Sequence, residues 1–303
     1  MKILIMAAGA VGGYFGSQLH KKNDVVFISR GITLSKIQQK GLTIIDNNLN
    51  EETNHVNVTS QVPQGFLADL VLYCVKSYQN NNAINVISSA IASHTKILTL
   101  QNGIGSENLL SKSFGFEKII AGSAYIDVGK ECPNIIKEYT GTAKIILDNS
   151  NNKSLEITKL FFESKINFTI SSNIQSDLWQ KLIYISALSG MTCLTRQTFD
   201  HVMNDDKTKH LVTQVLSETK SVGEKIGIEL PVNIIPEIMS VFEQNSTKLL
   251  SSMYQDIMSN KPIELDVING AVSKLGQQYN VATPINDLIT KCLTLHNTNV
   301  LTS

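Results

Sequence analysis

Residues 1–20 read MKILIMAAGAVGGYFGSQLH, and this stretch decides the fold. An apolar run from Ile3 to Met6 leads into a glycine-rich turn and then an amphipathic segment, the order of a strand, a phosphate loop and a helix. Backbone N–H groups are left free at the start of such a helix, and the macrodipole favours an anion there, so a pyrophosphate suits the turn. The dinucleotide fingerprint G-x-G-x-x-G finds Gly9 and Gly12 at its second and third places and Ala7 at its first. Gly9 lets the backbone approach a pyrophosphate and Gly12 lets helix and strand pack closely, whereas Ala7 must make the tight turn without glycine's freedom. The expected cofactor contacts are Ala7, Ala8, Gly9, Ala10, Val11 and Gly12; an ordinary strand-to-helix turn is the alternative for the motif taken alone.

Around this start lies an ordinary globular composition. The chain has 303 residues, 42% of them hydrophobic, enough for one large or two medium domains with a sizeable core. Lys plus Arg equals Asp plus Glu at 26 each, so no overall field draws the protein to nucleic acid or an anionic membrane. The four cysteines, Cys74, Cys132, Cys193 and Cys292, show neither C-x-x-C pairing nor the spacing of a disulfide framework, and the six histidines form no metal-ligand pattern. No signal-peptide pattern and no apolar run of membrane-spanning length is seen. A soluble, cytoplasmic protein without a bound metal is expected; its oligomeric state is open, a homodimer being compatible with the chain.

The next apolar runs extend the α/β pattern. Asp24–Ile28 reads as the second strand and ends in Ser29, Arg30 and Gly31. An acidic residue at the end of that strand would hold the ribose 2′-OH of NAD, whereas an Arg holds the 2′-phosphate of NADP, so Arg30 argues for NADPH. A short helix from Leu34, a β-like run over Leu42–Ile45 and a polar tract, DNNLNEETNH, read as a surface loop or hairpin tip, come next. Leu70–Val75 and Ile97–Leu100 have the texture of strands buried on both faces, joined by a helix-length connection over Asn80–Ala92. Ligands in parallel sheets bind outside the carboxyl ends of the strands, which directs Lys76, Gln101 and Asn102 to one crevice. From Ile119 to Leu147 the texture becomes antiparallel; a helix from Leu155 and a strand over Phe168–Ile170 complete a mixed sheet. A Rossmann-type domain is therefore expected over 1–172 and an all-helical domain over 173–303.

The helical part opens with IQSDLWQKLIYISALSGMTCLTR, where Leu178, Leu182, Ile185 and Leu188 recur at helical spacing after a cap at Asn173 or Ser176. Lys181 lies within this apolar helix, with Ile185 and Ser189 on the same line at i+4 and i+8. A Lys on a largely buried face is either a snorkelling side chain or a functional cation whose pKa desolvation lowers toward the useful range. Later a helix ends near Met258, and after Pro262 a second one is expected to begin near Ile263, with Leu265, Ile268, Val272 and Leu275 as its core stripe. Glu264 would then fall in its first turn, where a carboxylate suits the dipole. Ser252 and Asp256 lie one helical turn apart.

These pieces carry a resemblance over essentially the full length. AAGAVGGYFG, CVKSYQ at 74–79, LQNGIG at 100–105, WQKL around Lys181, SSMYQDIMSNKPIELDVINGAV and TPIN at 283–286 resemble the ketopantoate reductase (2-dehydropantoate 2-reductase) family. The resemblance implies a Rossmann-type NADPH domain, an all-helical C-terminal domain, and a cleft where a 2-oxo acid meets the nicotinamide. It implies that Lys181 is the catalytic proton donor and that Glu264 lines the substrate and cofactor site. It further implies that Ser252 binds substrate and that Lys76 and Asn102 sit near the nicotinamide end, Asn102 touching cofactor.

One departure bears on substrate. On the line from the catalytic Lys, better-known members carry Asn at i+4 and i+8; this chain has Ile185 and Ser189. Ser189 stays a substrate-binding candidate, but Ile185 donates no hydrogen bond, and a replacement contact would have to come from elsewhere, Ser186 or Thr192 being candidates. Reduction of ketopantoate to pantoate is the expected reaction. Reduction of another 2-oxo acid is the alternative that Ile185 favours, and a non-catalytic NADP(H)-binding sensor is the alternative suggested by Ala7.

Overall fold

The structure is a computed structural model that describes residues 1–149 and 154–302. The chain forms two compact units, Met1–Gln101 with Gly105–Ile174, and Asn102–Ile104 with Gln175–Ser303. The three residues 102–104 belong with the helices for a local reason. Gly103 takes φ +79°, and a Cβ there would lie 2.1 Å from the Val267 carbonyl oxygen. The Ile104 N–H donates to that same oxygen at 3.3 Å.

The first unit runs β1 (Lys2–Met6), α1 (Ala10–His20), β2 (Asp24–Ile28), α2 (Gly31–Lys40), β3 (Leu42–Ile45), β4 (Glu51–Asn54), β5 (Asn57–Thr59), β6 (Ala68–Tyr73), α3 (Asn80–Ile87), β7 (Ile91–Thr99), α4 (Ser106–Phe114), β8 (Ile119–Tyr125), β9 (Val128–Cys132), β10 (Ile135–Glu138), β11 (Lys144–Asp148), α5 (Leu155–Glu163) and β12 (Phe168–Ser171). An eight-stranded sheet has the order β12-β11-β8-β7-β6-β1-β2-β5. Its pairs are parallel except β8 with β11. Its middle strands are buried on both faces: Ile3 and Ile5 face α1, whereas Leu4 and Met6 join the core under α3 and α4. That two-sided burial is why the strands read as unbroken apolar runs.

A second, four-stranded sheet, β4-β3-β10-β9, lies against the other side of α1. Three glycines let α1 fit between the sheets. A Cβ at Gly12 would sit 2.2 Å from the Ala7 carbonyl oxygen, one at Gly13 would sit 2.2 Å from Ile136 Cδ1, and one at Gly16 would sit 2.5 Å from Phe27 Cε1. The polar tract after Ile45 is half turn and half strand. Asp46 accepts the Asn48 and Asn50 N–H groups at 2.8 Å each, making the tip, and Glu51–Asn54 then returns as β4.

The second unit contains α6 (Ile174–Thr195), α7 (Phe199–Asn204), α8 (Asp206–Lys225), α9 (Ile234–Asn245), α10 (Ser252–Met258), α11 (Asn269–Tyr279) and α12 (Pro284–Thr302). Asn173 directly precedes α6, while Ser176 lies inside it and donates its hydroxyl to the Glu229 carbonyl at 2.5 Å. From Leu182 to Cys193 α6 is buried at all but two positions, the mark of a central helix and not of a one-sided surface helix.

One expectation is corrected here. No α-helix begins near Ile263; Leu265–Val267 form a single 3₁₀ turn, Ile268 breaks the path at φ −111° and ψ −103°, and α11 starts only at Asn269. Glu264 thus precedes a 3₁₀ turn and gains nothing from an α-helix dipole. Leu265, Ile268 and Val272 are nonetheless buried, because one 3₁₀ turn ahead of a helix keeps the apolar positions inward.

Candidate functional site

At the sheet, register brings the strand ends level. Met6 is opposite both Ile28 and Tyr73, and Tyr73 is opposite Thr99. The loop 7–12, Arg30 and Lys76 therefore leave the sheet at the same edge, the edge where parallel sheets bind ligands. Ala8 N–H donates to Ile28 O at 3.1 Å and Cys74 N–H to Met6 O at 2.7 Å, which continues the pairing just past the strands.

The loop has the features a pyrophosphate asks for. No side chain caps the first turn of α1, and that turn holds no acidic residue, so the amides at Ala10, Val11 and Gly12 keep the orphan character of a helix start. A Cβ built on Gly9 meets nothing within 4 Å, which leaves the backbone open to close approach. Ala7 has no left-handed backbone, so alanine is tolerated at the first glycine position. Beneath Gly12, burial pushes the Cys74 thiol upward and keeps it neutral.

Arg30 is exposed at the start of α2 and donates Nη2 to Asn82 Oδ1 at 2.9 Å, near the start of α3. That bond orients the guanidinium, which has further N–H donors. Lys76 is half-buried and opens a 3₁₀ turn over Ser77–Gln79. Gln101 proves to be scaffold: its Nε2 donates to the Val75 carbonyl at 2.8 Å and to Asn80 Oδ1 at 2.9 Å, holding the loop that carries Lys76.

In the helical unit, α6 presents Lys181, Ile185 and Ser189 on one line. Lys181 keeps part of its surface open, yet enough protein surrounds it that desolvation lowers its pKa to about 8, the negative charge of Glu264 working against that fall. Glu264 is itself buried, at 5% exposure. The Asn102–Ile104 segment joins the same turn through the contacts of Gly103 and Ile104 with Val267.

Further polar groups lie beyond Lys181. Ser189 is buried and accepts the Ser251 hydroxyl at 2.8 Å; Ser251 also caps α10 by accepting the Tyr254 N–H. Ser252, the next residue, is exposed. Neither Ser186 nor Thr192 is available to replace a missing Asn at 185. Ser186 is fully buried and donates back to Ile183 O while meeting Thr219 Oγ1 at 3.1 Å, and Thr192 donates to Leu188 O at 2.6 Å. A buried hydroxyl on a helix finds its nearest acceptor one turn back along its own backbone.

A buried polar network on α8, α11 and α12 was not singled out from sequence. Glu218 accepts the Ile285 N–H, the Asn286 N–H and Asn286 Nδ2 at 2.8 to 2.9 Å, and Asn286 Oδ1 accepts from Asn269. A signal existed: Glu218 stands on the same helical stripe as Val215 and Val222, both fully buried. Among the described residues no three His, Cys, Asp or Glu side chains gather as a metal site, and no helix is long and apolar enough to cross a membrane.

Comparison with known proteins follows the same division of the chain. The family model "Ketopantoate reductase PanE/ApbA" matches residues 3–152 and "Ketopantoate reductase PanE/ApbA C terminal" matches 173–297. A 2-dehydropantoate 2-reductase of Lactococcus lactis is 30% identical over 303 residues, with 96% of each chain covered. Among solved structures, a PanE/ApbA family ketopantoate reductase of Ralstonia eutropha is 25% identical with a TM-score of 0.91, covering 99% of this chain and 100% of that one. A D-mandelate dehydrogenase solved with NADH and anilino(oxo)acetate is 28% identical, also with a TM-score of 0.91 and the same coverage. Two family models that together span most of the chain, and a relative alike from end to end, have one meaning: this oxidoreductase belongs to the ketopantoate reductase family.

Proposed function

We propose that the chain reduces 2-dehydropantoate (ketopantoate) to pantoate with NADPH, a step of pantothenate and coenzyme A formation. The observation that carries this reading is Lys181, half-buried on α6 within the field of Glu264, where desolvation lowers its pKa to about 8. A group of that pKa holds a proton at neutral pH and releases it readily, as a general acid requires. The nicotinamide, when bound, supplies hydride to the keto carbon. Lys181 Nζ holds the keto oxygen, stabilises its growing negative charge and gives it a proton. Glu264 favours the protonated ammonium and binds substrate and cofactor groups.

The remaining roles follow the site as built. Ala7 to Gly12 receive the pyrophosphate, and Arg30, oriented by Asn82, takes the 2′-phosphate that distinguishes NADPH from NADH. Lys76 and Asn102 serve substrate and the nicotinamide end, while Ser252 and Ser189 serve substrate, Ser189 with its hydroxyl oriented by the bond it accepts from Ser251. Residues 1–172 act as the cofactor domain and 173–303 as the substrate and catalytic domain. Relatives named 2-dehydropantoate 2-reductase support the substrate, and the NADH of the mandelate dehydrogenase neighbour supports a nicotinamide cofactor.

A second reading, reduction of a different 2-oxo acid, has its own observation. Ile185 offers no hydrogen bond, and the hydroxyls of Ser186 and Thr192 are turned into α6. Losing one polar contact costs roughly 1 to 3 kcal/mol, enough to favour a less polar substrate. Oxidation of NADPH with ketopantoate, run beside NADH and a panel of 2-oxo acids, decides. Fastest turnover with ketopantoate and NADPH supports the first reading; turnover confined to a more apolar oxo acid replaces it with the second. Binding of NADPH without reduction of any oxo acid overturns both.

A further inference from the structure

The charge of Glu264 acts on Lys181 from a segment that is not α-helical, and that segment is held at both ends by asparagines. In front of Glu264, Asn297 of α12 clasps the backbone of Ile263: the Ile263 N–H donates to Asn297 Oδ1 at 2.8 Å, and Asn297 Nδ2 donates to Ile263 O at 2.9 Å. Behind it, Asn269 is fully buried and donates Nδ2 to the Ser186 carbonyl of α6 at 3.0 Å and to Asn286 Oδ1 at 2.9 Å. Asn286 is fixed in turn by Glu218. The amide of Asn269 beds against Gly190, one turn beyond Ser186, where an added Cβ would lie 2.8 Å from Nδ2 and 3.0 Å from Oδ1.

On the reading of Lys181 as the acid, we infer that Asn269 is a positioning residue, setting the distance between Lys181 and Glu264 by pinning the Glu264 segment to α6. Three observations support this. The bond lands on Ser186, on the helix that carries Lys181. The neighbours Leu265, Ile268 and Val272 pack by apolar contact, which resists removal but permits sliding, whereas a hydrogen bond fixes direction and register. A buried amide is also an expensive filler compared with an aliphatic side chain of similar size, so a packing role alone does not call for asparagine. Glu264 is the charged group whose field acts on Lys181, so a change in its placement is read directly in the titration of the lysine.

The test is the pH dependence of kcat/KM, which reports groups of the free enzyme, followed by NADPH oxidation with the best 2-oxo acid of the panel. In the wild type the rate should fall above about pH 8, as Lys181 loses its proton. Asn269→Ala should move this limb to lower pH by about one unit, because Glu264 supports the ammonium less well. Glu264→Gln should move it similarly, and adding Asn269→Ala to Glu264→Gln should move it no further. If Asn269→Ala does not fold, Gly190→Ala displaces the amide without deleting it and should shift the limb the same way. A lower melting temperature with the limb in place in the folded variants overturns the inference and leaves Asn269 as a packing residue; so does an additive shift in the double variant. Lys181→Ala measured alongside separates the levels. Lost turnover there, with an unmoved limb in Asn269→Ala, overturns the positioning role alone, whereas retained turnover overturns the acid and the positioning role with it.

Discussion

The helices α1 and α6 are each buried almost all round, one in each unit, and they reach that state by opposite means. In α1 side chains are deleted: Gly12, Gly13 and Gly16 stand where the Ala7 carbonyl, Ile136 and Phe27 come closest. In α6 side chains are kept at all but Gly190, where the Asn269 amide beds, and several are turned inward, Ser186, Thr192 and Thr195 donating to carbonyls of their own helix. The first helix is thereby built to offer backbone N–H groups, the second to offer one charged side chain. A backbone site depends on shape and is indifferent to many side chains; a side-chain site depends on one residue and the field around it.

That contrast can be broken at either end. The largest effect belongs to Lys181→Ala, which should lower turnover by ~10² to 10⁴-fold while NADPH affinity, measured by fluorescence titration, stays nearly constant; unchanged turnover would mean that α6 does not work through one side chain. Next, Gly12→Ala should lower stability to denaturant by about 3 kcal/mol and weaken cofactor binding with it, because the new Cβ meets backbone, which yields little. A well-tolerated Gly12→Ala would show that α1 has slack the packing does not reveal. Glu218→Ala should cost about 2 to 3 kcal/mol of unfolding free energy by denaturant titration, since it strands the Ile285 and Asn286 donors. Smallest is Ala7→Gly, expected to change stability by no more than about 1 kcal/mol and to leave cofactor affinity unchanged, because Ala7 already fits its backbone. A large gain in affinity there would mean that the loop is held back by alanine.

The same contrast explains how much could be read in advance. The strands β2 and β3 were legible to the residue and β1 to within one, since largely apolar runs bounded by small or polar residues have few other solutions. Lys181 was legible because a cation on an apolar stripe stands out. The polar edge strands β4 and β5 carry no apolar pattern, and the parallel pairing of β3 with β10 joins segments whose nearness no local spacing encodes. The stretch from Ile263 misled because Leu265, Ile268, Val272 and Leu275 keep helical spacing through a 3₁₀ turn and a break at Ile268. Periodicity reports which side is buried, not whether the backbone is continuous. The Asn269 and Asn297 braces were invisible for a related reason, since asparagine reads equally well as a turn, a cap or a solvated surface.

The small sheet on the outer side of α1 has a consequence in time. The helix that follows the phosphate loop is made first, but the face bearing Gly13 and Tyr14 is covered by residues made much later. Tyr14 donates its hydroxyl to Glu138 Oε2 at 3.0 Å across 124 residues, and burial beside that carboxylate pushes the phenol up to about 12. Contacts of such long range close slowly and only after the intervening chain exists. A growing chain that has not passed Glu138 therefore lacks the residues that cover this face of α1. The packing of α1 is thus completed when the β9–β10 hairpin settles onto it, and not when the glycine-rich turn itself emerges.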